Sequence, residues 1–342
     1  MGSGGIKSRT LGLYVGPHPA YREFAARVCG ETHRVESRVT KRQHFILKAA
    51  NMARSVASLP KGYGIYFTEG CYYYPAAAKK LRLLPGSAKI VNLCCTPVFY
   101  NMLTGNIRGA ERRMLLHFAH DVDAYMSEGK YAGEILHKLG IHKPTYFCYT
   151  YISPKRYQLL KRIKPQLESK EVCIIATNDY HYKGVDILLE AMKLVFRADP
   201  DVKLNVVLGN IDPSHFSHLL SSRVRITDDA VAALKSAALY VHPSRGDVFP
   251  VAPLEAMLAG LPTIVSSETG TKEVVEKVRT DFVTHLDAEH VAQKILHYFA
   301  MKPKARETLS RHFRKAALPF SKRGQIKRFR KEYERMMKKI EE

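Results

Sequence analysis

Two acidic residues, Asp247 and Glu255, are candidates for ligand chemistry in the stretch from 239 to 265. A buried strand is predicted to end near His242, Asp247 follows in a loop, and Glu255 lies in the first turn of a helix predicted from Pro253. A helix N-terminus offers free N–H groups to phosphates or sugar hydroxyls, and carboxylates accept hydrogen bonds from hydroxyls. Alternatively, Glu255 only complements the helix dipole. From this pattern alone the helix-dipole interpretation is favoured, and a site for a phosphate- or hydroxyl-bearing ligand needs support from further residues.

The rest of the sequence alternates short β-rich runs with helical patterns, and these must position the two acids. Such alternation is typical of α/β units on parallel sheets. Ligands of such sheets bind beyond the carboxyl ends of the strands. The principal predicted strands are 11–15, 64–67, 89–95, 124–126, 172–176, 204–208, 239–241 and 263–265.

The length of the chain favours two domains, because 342 residues of which 46% are hydrophobic can form two ordinary cores. The Lys/Arg-rich stretch 152–168 contains two prolines and is interpreted as the linker region. We therefore predict a domain over 1–168, a second over 169–320, and a basic helix over 321–342. Both domains are expected to be doubly wound and Rossmann-like, and to face a central cleft.

Four motifs follow residue 242, namely Pro243-Ser244, Asp247-Val248-Phe249-Pro250, the run from Pro253 to Val265, and Gly270-Thr271-Lys272-Glu273. They resemble the signature of glycosyltransferase family four. That signature runs Pro-Ser, then Glu-Gly-Phe-Gly, then Pro-Leu-Glu-Ala-Met-Ala-x-Gly-x-Pro-Val-Val, then Gly-x-x-Glu. Residues 178–191 also resemble the family's Arg-x-x-x-x-Lys-Gly-x-x-x-Leu-x-x-Ala segment. The resemblance covers 170–280 well and is weaker in the first half.

The resemblance implies a GT-B fold and a retaining hexosyltransferase that uses a nucleotide-diphosphate sugar, with UDP or GDP as the expected nucleotide. Glu255 would hold the donor ribose and Asp247 the transferred sugar. Lys183 would neutralise the diphosphate, on which negative charge builds as the sugar leaves. The first domain would bind the acceptor and the second the donor. Further donor contacts are expected at Asn178, Gly16, Phe249, Val251 and Ser244.

The implied mechanism needs no enzymic nucleophile, metal ion or other cofactor. Retention in the family is attributed to attack from the side on which the phosphate leaves, with the phosphate taking the proton. The family often has a histidine after its counterpart of strand 89–95, where this chain has Cys94-Cys95-Thr96. Glu69, at the end of the neighbouring predicted strand, is our candidate for the polar catalytic group there. The spacing Asp121-Val122-Asp123 is interpreted as a coincidence, because short motifs often match by chance.

The formal net charge of +22 either attracts anionic partners or only keeps the protein soluble, and the charge by itself favours neither interpretation. One interpretation is a transferase with a glycan, lipid-linked or other anionic acceptor, of which we favour the lipid-linked one; nucleic acid is less favoured. The alternative is a GT-B-fold protein that binds polyanions or nucleic acid, with lost or altered catalysis. This alternative draws on three departures from the family pattern, at Asp247, Pro250 and Asn178. No helix-turn-helix, zinc-finger or RNP signature supports it.

The expected cellular location is inferred from the lack of membrane-spanning and secretion signals in the sequence. No apolar stretch reaches the ~18 residues that span a bilayer, and the N-terminus lacks the apolar core of a signal peptide. None of the six cysteines forms a CxxC, so buried free thiols are expected. We expect a cytoplasmic protein. The basic helix at 322–340 would dock on the first domain, or lie on the inner membrane face in a peripheral variant.

Overall fold

The computed structural model describes residues 9–16, 19–35, 45–177, 179–209 and 222–342. The chain divides into two compact units. The first runs to Tyr149 and also includes Ile326–Glu342, and the second is Thr150–Gln325. The division therefore falls after residue 149 rather than at 168, and the final helix is shared between the units.

The first unit is built on a parallel sheet with the strand order β2-β1-β3-β4-β5-β6. Its central strands are buried almost throughout and consist mainly of apolar residues, as expected for a parallel sheet covered on both faces, and each also contains polar residues. The strands are β1 (Thr10–Tyr14), β2 (Glu31–Arg34), β3 (Ile65–Glu69), β4 (Lys89–Cys94), β5 (Ala124–Glu128) and β6 (Thr145–Cys148). The helices are α1 (Pro19–Val28), α2 (Phe45–Ala57), α3 (Tyr73–Lys80), α4 (Val98–Leu103), α5 (Gly109–Ala119) and α6 (Lys130–Lys138).

The second unit has another parallel sheet, with the order β12-β11-β10-β7-β8-β9. Its strands are β7 (Glu171–Ile175), β8 (Lys203–Val207), β9 (Val224–Thr227), β10 (Leu239–His242), β11 (Thr263–Ser266) and β12 (Val283–Thr284). The helices are α7 (Pro154–Lys161), α8 (Val185–Ala198), α9 (Ala230–Ser236), α10 (Val251–Ala259), α11 (Lys272–Val275), α12 (Ala288–Ala300) and α13 (Pro303–Ala317). The final helix is α14 (Lys322–Glu341).

Each sheet has a topological switch point, where the strand order reverses direction. In the first sheet it lies between β1 and β3, since β2 follows on one side of β1 and β3 to β6 on the other. In the second it lies between β7 and β10. Ligands of doubly wound sheets bind beyond the carboxyl ends of the strands at this point. The fold therefore predicts that ligands bind at the loops after β1, β3, β7 and β10.

Helix α14 contributes its apolar side to the core of the first unit. Phe329 stacks on Phe24 with ring centroids 4.3 Å apart, and Tyr333 packs edge-on against Phe67. Met336, Met337 and Ile340 complete the buried side. This apolar stripe is thus covered by protein, and the exposed side of α14 is mainly basic.

The prediction of two doubly wound α/β units is confirmed, and the structure corrects several local assignments. The stretch interpreted as a linker contains α7, which begins at Pro154 and packs against α10 in the second unit. Helix α9 has a side-chain N-cap. Asp229 is the cap, and its carboxylate accepts the N–H groups of Val231 and Ala232 at 3.0 Å.

Two further observations concern the cysteines and the hydrophobicity of the helices. All six cysteines are free, and all except the half-buried Cys95 are buried, as predicted. Among the helices of the described ranges, none is both long and apolar enough to cross a membrane.

Candidate functional site

The switch point of the second sheet brings Lys183 and Asp247 together. Lys183 lies in the loop after β7 and Asp247 in the loop after β10, and these two strands are neighbours. The Lys183 Nζ donates a hydrogen bond to Asp247 Oδ2. Their side chains are only 20% and 14% exposed, so this is a largely buried ion pair. The sequence predicted both residues for one ligand, and the structure places them in direct contact.

The Asp247 carboxylate stays ionised despite its burial. Burial raises its pKa, but the Lys183 ammonium and the His242 ring outweigh this effect and hold the pKa at about 2. An ammonium that contacts a carboxylate favours the charged form of both groups. The site therefore carries a fixed negative charge and a fixed positive charge side by side at neutral pH.

Two glycines allow the loops of this site to approach so closely. Gly184 has a φ of +74°, and a Cβ atom there would lie 1.9 Å from the carbonyl oxygen of Pro243. A Cβ atom at Gly270 would lie 1.7 Å from the carbonyl oxygen of Val248. The Gly270 N–H also donates to the Asp247 carbonyl oxygen at 2.9 Å. Any larger residue at either position would force the backbone of the Asp247 loop away.

Further contacts join the Asp247 loop to the start of α8. The hydroxyl of Tyr182 donates to the Gly246 carbonyl oxygen at 2.6 Å. The Arg245 guanidinium binds the Asp186 carboxylate through two hydrogen bonds of 2.8 Å. Burial raises the pKa of Asp186, but Arg245 more than offsets it and lowers the pKa overall. These bonds fix the part of the loop that directly precedes Asp247.

His242, the last residue of β10, is fully buried beside Asp247 and was not predicted as a site residue. Its Nε2 lies 3.8 Å from Asp247 Oδ2, which is too long for a direct hydrogen bond. Its Nδ1 lies 3.1 Å from the hydroxyl of Tyr240. Burial lowers the pKa of His242, so the ring is neutral at neutral pH. A histidine in a strand otherwise composed of apolar residues and tyrosine was the available sequence signal.

Glu255, the second predicted acid, lies on α10 and has a partner of its own. The Arg156 guanidinium, on α7, donates from Nε to Oε1 at 3.1 Å and from Nη2 to Oε2 at 3.0 Å. The two side chains are 28% and 14% exposed, respectively. Such a paired geometry holds a carboxylate in one orientation. Arg156 was missed because its stretch was interpreted as a linker.

The other predicted donor contacts of the second unit are mostly packed. Ser244 is buried, and its carbonyl oxygen accepts the Ser266 hydroxyl at 2.6 Å. Phe249 is buried and stacks on Phe320 with ring centroids 5.7 Å apart. Val251 is half-buried and is the first residue of α10. Asn178 lies outside the described residues.

The two predicted residues of the first unit flank the switch point of its sheet. Gly16 follows β1 and is exposed. Glu69 is the last residue of β3 and is buried, and its Oε1 accepts a hydrogen bond from the Cys95 thiol at 3.4 Å. Burial raises the pKa of Cys95, and the charges of Glu128 and Glu69 raise it further. The thiol is therefore protonated and serves as a donor to Glu69.

The possible metal-binding pattern at 121–123 has a structural explanation. Asp123 Oδ2 accepts the N–H of Ile90 at 2.8 Å, and Asp121 lies 3.2 Å from the Lys80 ammonium. Nowhere in the described ranges do three His, Cys, Asp or Glu side chains gather as metal ligands.

Comparisons with known proteins cover the part of the chain that contains these residues. Residues 169–300 match the family model described as Glycosyl transferases group 1. An uncharacterized glycosyltransferase of Haemophilus influenzae is 25% identical over 127 residues, covering 34% of this chain and 36% of that protein. The match thus spans about a third of the curated relative. Lys183, Asp247 and Glu255 all fall inside the matched region.

Solved structures extend the likeness to nearly the whole chain. Sucrose-phosphate synthase from Thermosynechococcus elongatus gives a TM-score of 0.69 at 16% identity, covering 97% of this chain and 100% of that one. A UDP-forming trehalose-phosphate synthase from Burkholderia xenovorans gives 0.66 at 11% identity, covering 98% and 100%. Anabaena HepE, solved with UDP and glucose, gives 0.64 at 14% identity, covering 96% and 99%. The chain therefore has the GT-B fold, and its residues 169–300 are similar to group 1 glycosyltransferases, which confirms the resemblance at the level of a GT-B-like glycosyltransferase.

Proposed function

We propose that the chain is a glycosyltransferase of family four that moves a sugar from a nucleotide-diphosphate sugar to an acceptor hydroxyl with retention. The observation that carries this proposal is the Lys183–Asp247 ion pair at the switch point between β7 and β10, inside the region that matches the group 1 model. A charged, largely buried pair at this position suits a ligand that is itself part anion and part polyol.

Lys183 is proposed to bind the donor diphosphate. An ammonium has three N–H donors, of which Asp247 takes one, so others can reach phosphate oxygens. As the bond to the sugar breaks, negative charge grows on the diphosphate and a preformed cation there stabilises it. Asp247 would then accept a hydrogen bond from a sugar hydroxyl. The leaving phosphate takes the proton of the acceptor, so no metal ion is required.

Glu255 is proposed to bind the ribose hydroxyls of the donor. A carboxylate has about four lone-pair sites. Arg156 uses two of them and leaves the others for the two ribose hydroxyls. Arg156 would thus orient Glu255 without competing for the ribose. Ser244, Phe249 and Val251 would line the same site through their backbone.

UDP is the nucleotide we expect first. Among the similar structures, HepE was solved with UDP and glucose, and the Burkholderia xenovorans synthase is described as UDP-forming. By analogy with these proteins, we also expect the acceptor to be a sugar or to carry a sugar hydroxyl. Glu69 and Gly16, at the switch point of the first sheet, are the proposed contacts of the first unit.

An anionic acceptor is proposed from the charge of the first unit's surface. The exposed side of α14 carries mostly basic residues, namely Arg323, Lys327, Arg328, Arg330, Lys331, Arg335, Lys338 and Lys339. Because its apolar stripe is buried, this helix would meet an anionic lipid headgroup through charge rather than insertion. A cytoplasmic protein at the inner membrane face is the corresponding location.

A thermal-shift screen with UDP, GDP, ADP and their glucose or mannose derivatives tests the donor proposal. We expect one nucleotide to raise the melting temperature, because a ligand that binds only the folded state stabilises it by mass action. No shift with any member of the panel would contradict the proposal. It would leave the polyanion-binding alternative, for which affinity should fall steeply with salt.

A further inference from the structure

The residue with the least obvious purpose in the second unit is His242. It is a fully buried imidazole in a strand whose other residues are Leu239, Tyr240 and Val241. Within the part of the chain that the structure describes, its Nε2 forms no hydrogen bond and faces Asp247 Oδ2 at 3.8 Å. A buried polar atom without a hydrogen bond costs free energy. We therefore looked for a function of this ring that involves the neighbouring Asp247.

The surroundings of the ring decide which nitrogen carries the proton. The backbone N–H of Ile175 can only donate, and it points to the Tyr240 hydroxyl at 3.4 Å. Burial raises the pKa of Tyr240 well above its ordinary value, so the phenol keeps its proton. The phenol has one proton, and among the described residues the acceptor within hydrogen-bond distance is His242 Nδ1 at 3.1 Å, so the phenol donates there. A neutral imidazole then carries its proton on Nε2.

The contacts of the Asp247 carboxylate are concentrated on one oxygen. Lys183 Nζ and His242 Nε2 both face Oδ2. The hydrogen bond from Lys183 and the electrostatic attraction of the His242 Nε2–H group across 3.8 Å both act on Oδ2, and neither contact involves Oδ1. An acceptor oxygen fixed in this way is suited to a hydroxyl of the bound sugar.

We propose that His242 is a positioning residue: its Nε2–H, set by the Tyr240 hydroxyl, orients the Asp247 carboxylate toward a hydroxyl of the transferred sugar. The chain of contacts runs from the Ile175 backbone through Tyr240 and His242 to Asp247. It rests on the proposed function, since it assigns a purpose to Asp247 within that donor site. It predicts that His242 acts on the sugar and not on the nucleotide.

The tautomer is measured first and needs no ligand. Long-range ¹H–¹⁵N correlation spectra of the full chain with ¹⁵N-labelled histidine should show one imidazole locked as the Nε2–H form. His242→Gln identifies the signal by its loss. In Tyr240→Phe the signal should shift toward a mixture of tautomers. An Nδ1–H form in the unmodified protein would overturn the proposal.

Calorimetric affinities for UDP and for UDP-glucose then separate the sugar from the nucleotide. We expect His242→Phe to weaken UDP-glucose binding about tenfold and to change UDP binding less than twofold. His242→Gln, whose amide can donate from a similar position, should stay within threefold of the unmodified protein for both ligands. Equal UDP-glucose affinity in the unmodified protein and His242→Phe would overturn the proposal.

A matched pair of tyrosine variants covers the case in which His242→Phe does not fold. Tyr240→Phe should weaken UDP-glucose binding at least threefold while UDP binding holds. Tyr298→Phe removes another buried hydroxyl of the same unit, which donates to the Ala238 carbonyl oxygen at 2.7 Å. It should leave the ratio of the two affinities unchanged. An equal ratio in both tyrosine variants would overturn the proposal. Failure of the unmodified protein to bind UDP, GDP or ADP would instead refute the proposed function.

Discussion

The switch points of the two sheets differ in the chemistry of their side chains. In the second sheet, Lys183 and Asp247 form a largely buried ion pair at the ends of β7 and β10. In the first sheet, the corresponding loops carry the exposed Gly16 and the buried Glu69, whose Oε1 contacts the thiol of Cys95. One position offers fixed charges of both signs, and the other offers a glycine and a carboxylate beside a neutral donor.

This difference matches the different needs of the two substrates, a charged donor diphosphate and an uncharged acceptor hydroxyl. A diphosphate needs a cation that is already in place, because solvating its charge by movement of side chains would raise the barrier. An acceptor hydroxyl is neutral and needs a hydrogen-bonding group and space. We propose on this basis that the second unit binds the donor and the first the acceptor, and variants of Lys183, Arg156 and Glu69 can break or sharpen this division.

Removal of the Lys183 ammonium should have the largest effect. Lys183→Ala takes the cation from the proposed diphosphate site and leaves the Asp247 charge buried without its main partner. We expect donor turnover, measured as kcat/KM for hydrolysis of the nucleotide sugar, to fall by about 100-fold or more, or about 3 kcal/mol.

Lys193→Ala is the matched control for Lys183→Ala. Lys193 lies on α8, the helix that follows Lys183, but is exposed and paired with the exposed Glu190. Its removal should leave turnover within twofold, since exposed ion pairs contribute little. Similar losses in both lysine variants would show that general charge, rather than the site at the switch point, attracts the donor.

The acid stability of the second unit should depend on Asp247. Its pKa is lowered from an ordinary value of about 3.9 to about 2. Because the folded state binds this proton more weakly, the group stabilises the fold above pH 4 and the benefit disappears as the pH falls toward 2. Between pH 5 and pH 2, we expect the unfolding free energy to fall by about 2 kcal/mol more in the unmodified protein than in Asp247→Asn. Parallel pH curves would argue against the buried ion pair.

Loss of the Arg156 guanidinium should weaken nucleotide binding moderately. Arg156→Ala frees the Glu255 carboxylate to rotate, so we expect UDP to bind about tenfold more weakly by calorimetry. Arg156→Lys keeps the charge and loses the paired geometry, so its affinity should be intermediate. Arg162→Ala, on the exposed end of α7, is the control. Tighter UDP binding in Arg156→Ala would show that Arg156 blocks Glu255 instead of orienting it.

The smallest effect on the donor is expected in the first unit. Glu69→Gln retains the size of the side chain and loses the charge at the end of β3. UDP affinity should stay within twofold, while transfer to an acceptor slows several-fold. A loss of UDP affinity as large as that of Arg156→Ala would place Glu69 at the donor and remove the proposed division.

The sequence predicted the sheets well where strands are buried and apolar, as in β4, β7 and β10. It missed β2, β6, β9 and β12, which are short strands at the sheet edges and carry weaker apolar patterns. It also missed α7, because its Lys/Arg-rich surface and its prolines resemble a linker. The helix is stabilised by packing on α10, which no local pattern reports.

The candidate site was predictable where loops carry charged residues in a recognisable order. Lys183 and Asp247 were foreseen as two contacts of one ligand, but their contact with each other depends on the pairing of β7 with β10. His242 and Arg156 were not foreseen. Each acts through an acid that lies five residues or about a hundred residues away in the chain, and only the fold joins them.

A crystal structure of the chain with a nucleotide sugar tests the central claim most directly. The account predicts diphosphate oxygens within hydrogen-bond distance of Lys183 Nζ, at roughly 2.7–3.2 Å. It also predicts the ribose hydroxyls at Glu255 and a sugar hydroxyl at Asp247. A nucleotide bound with its diphosphate away from Lys183, and with both acids still engaged only by protein, would contradict it.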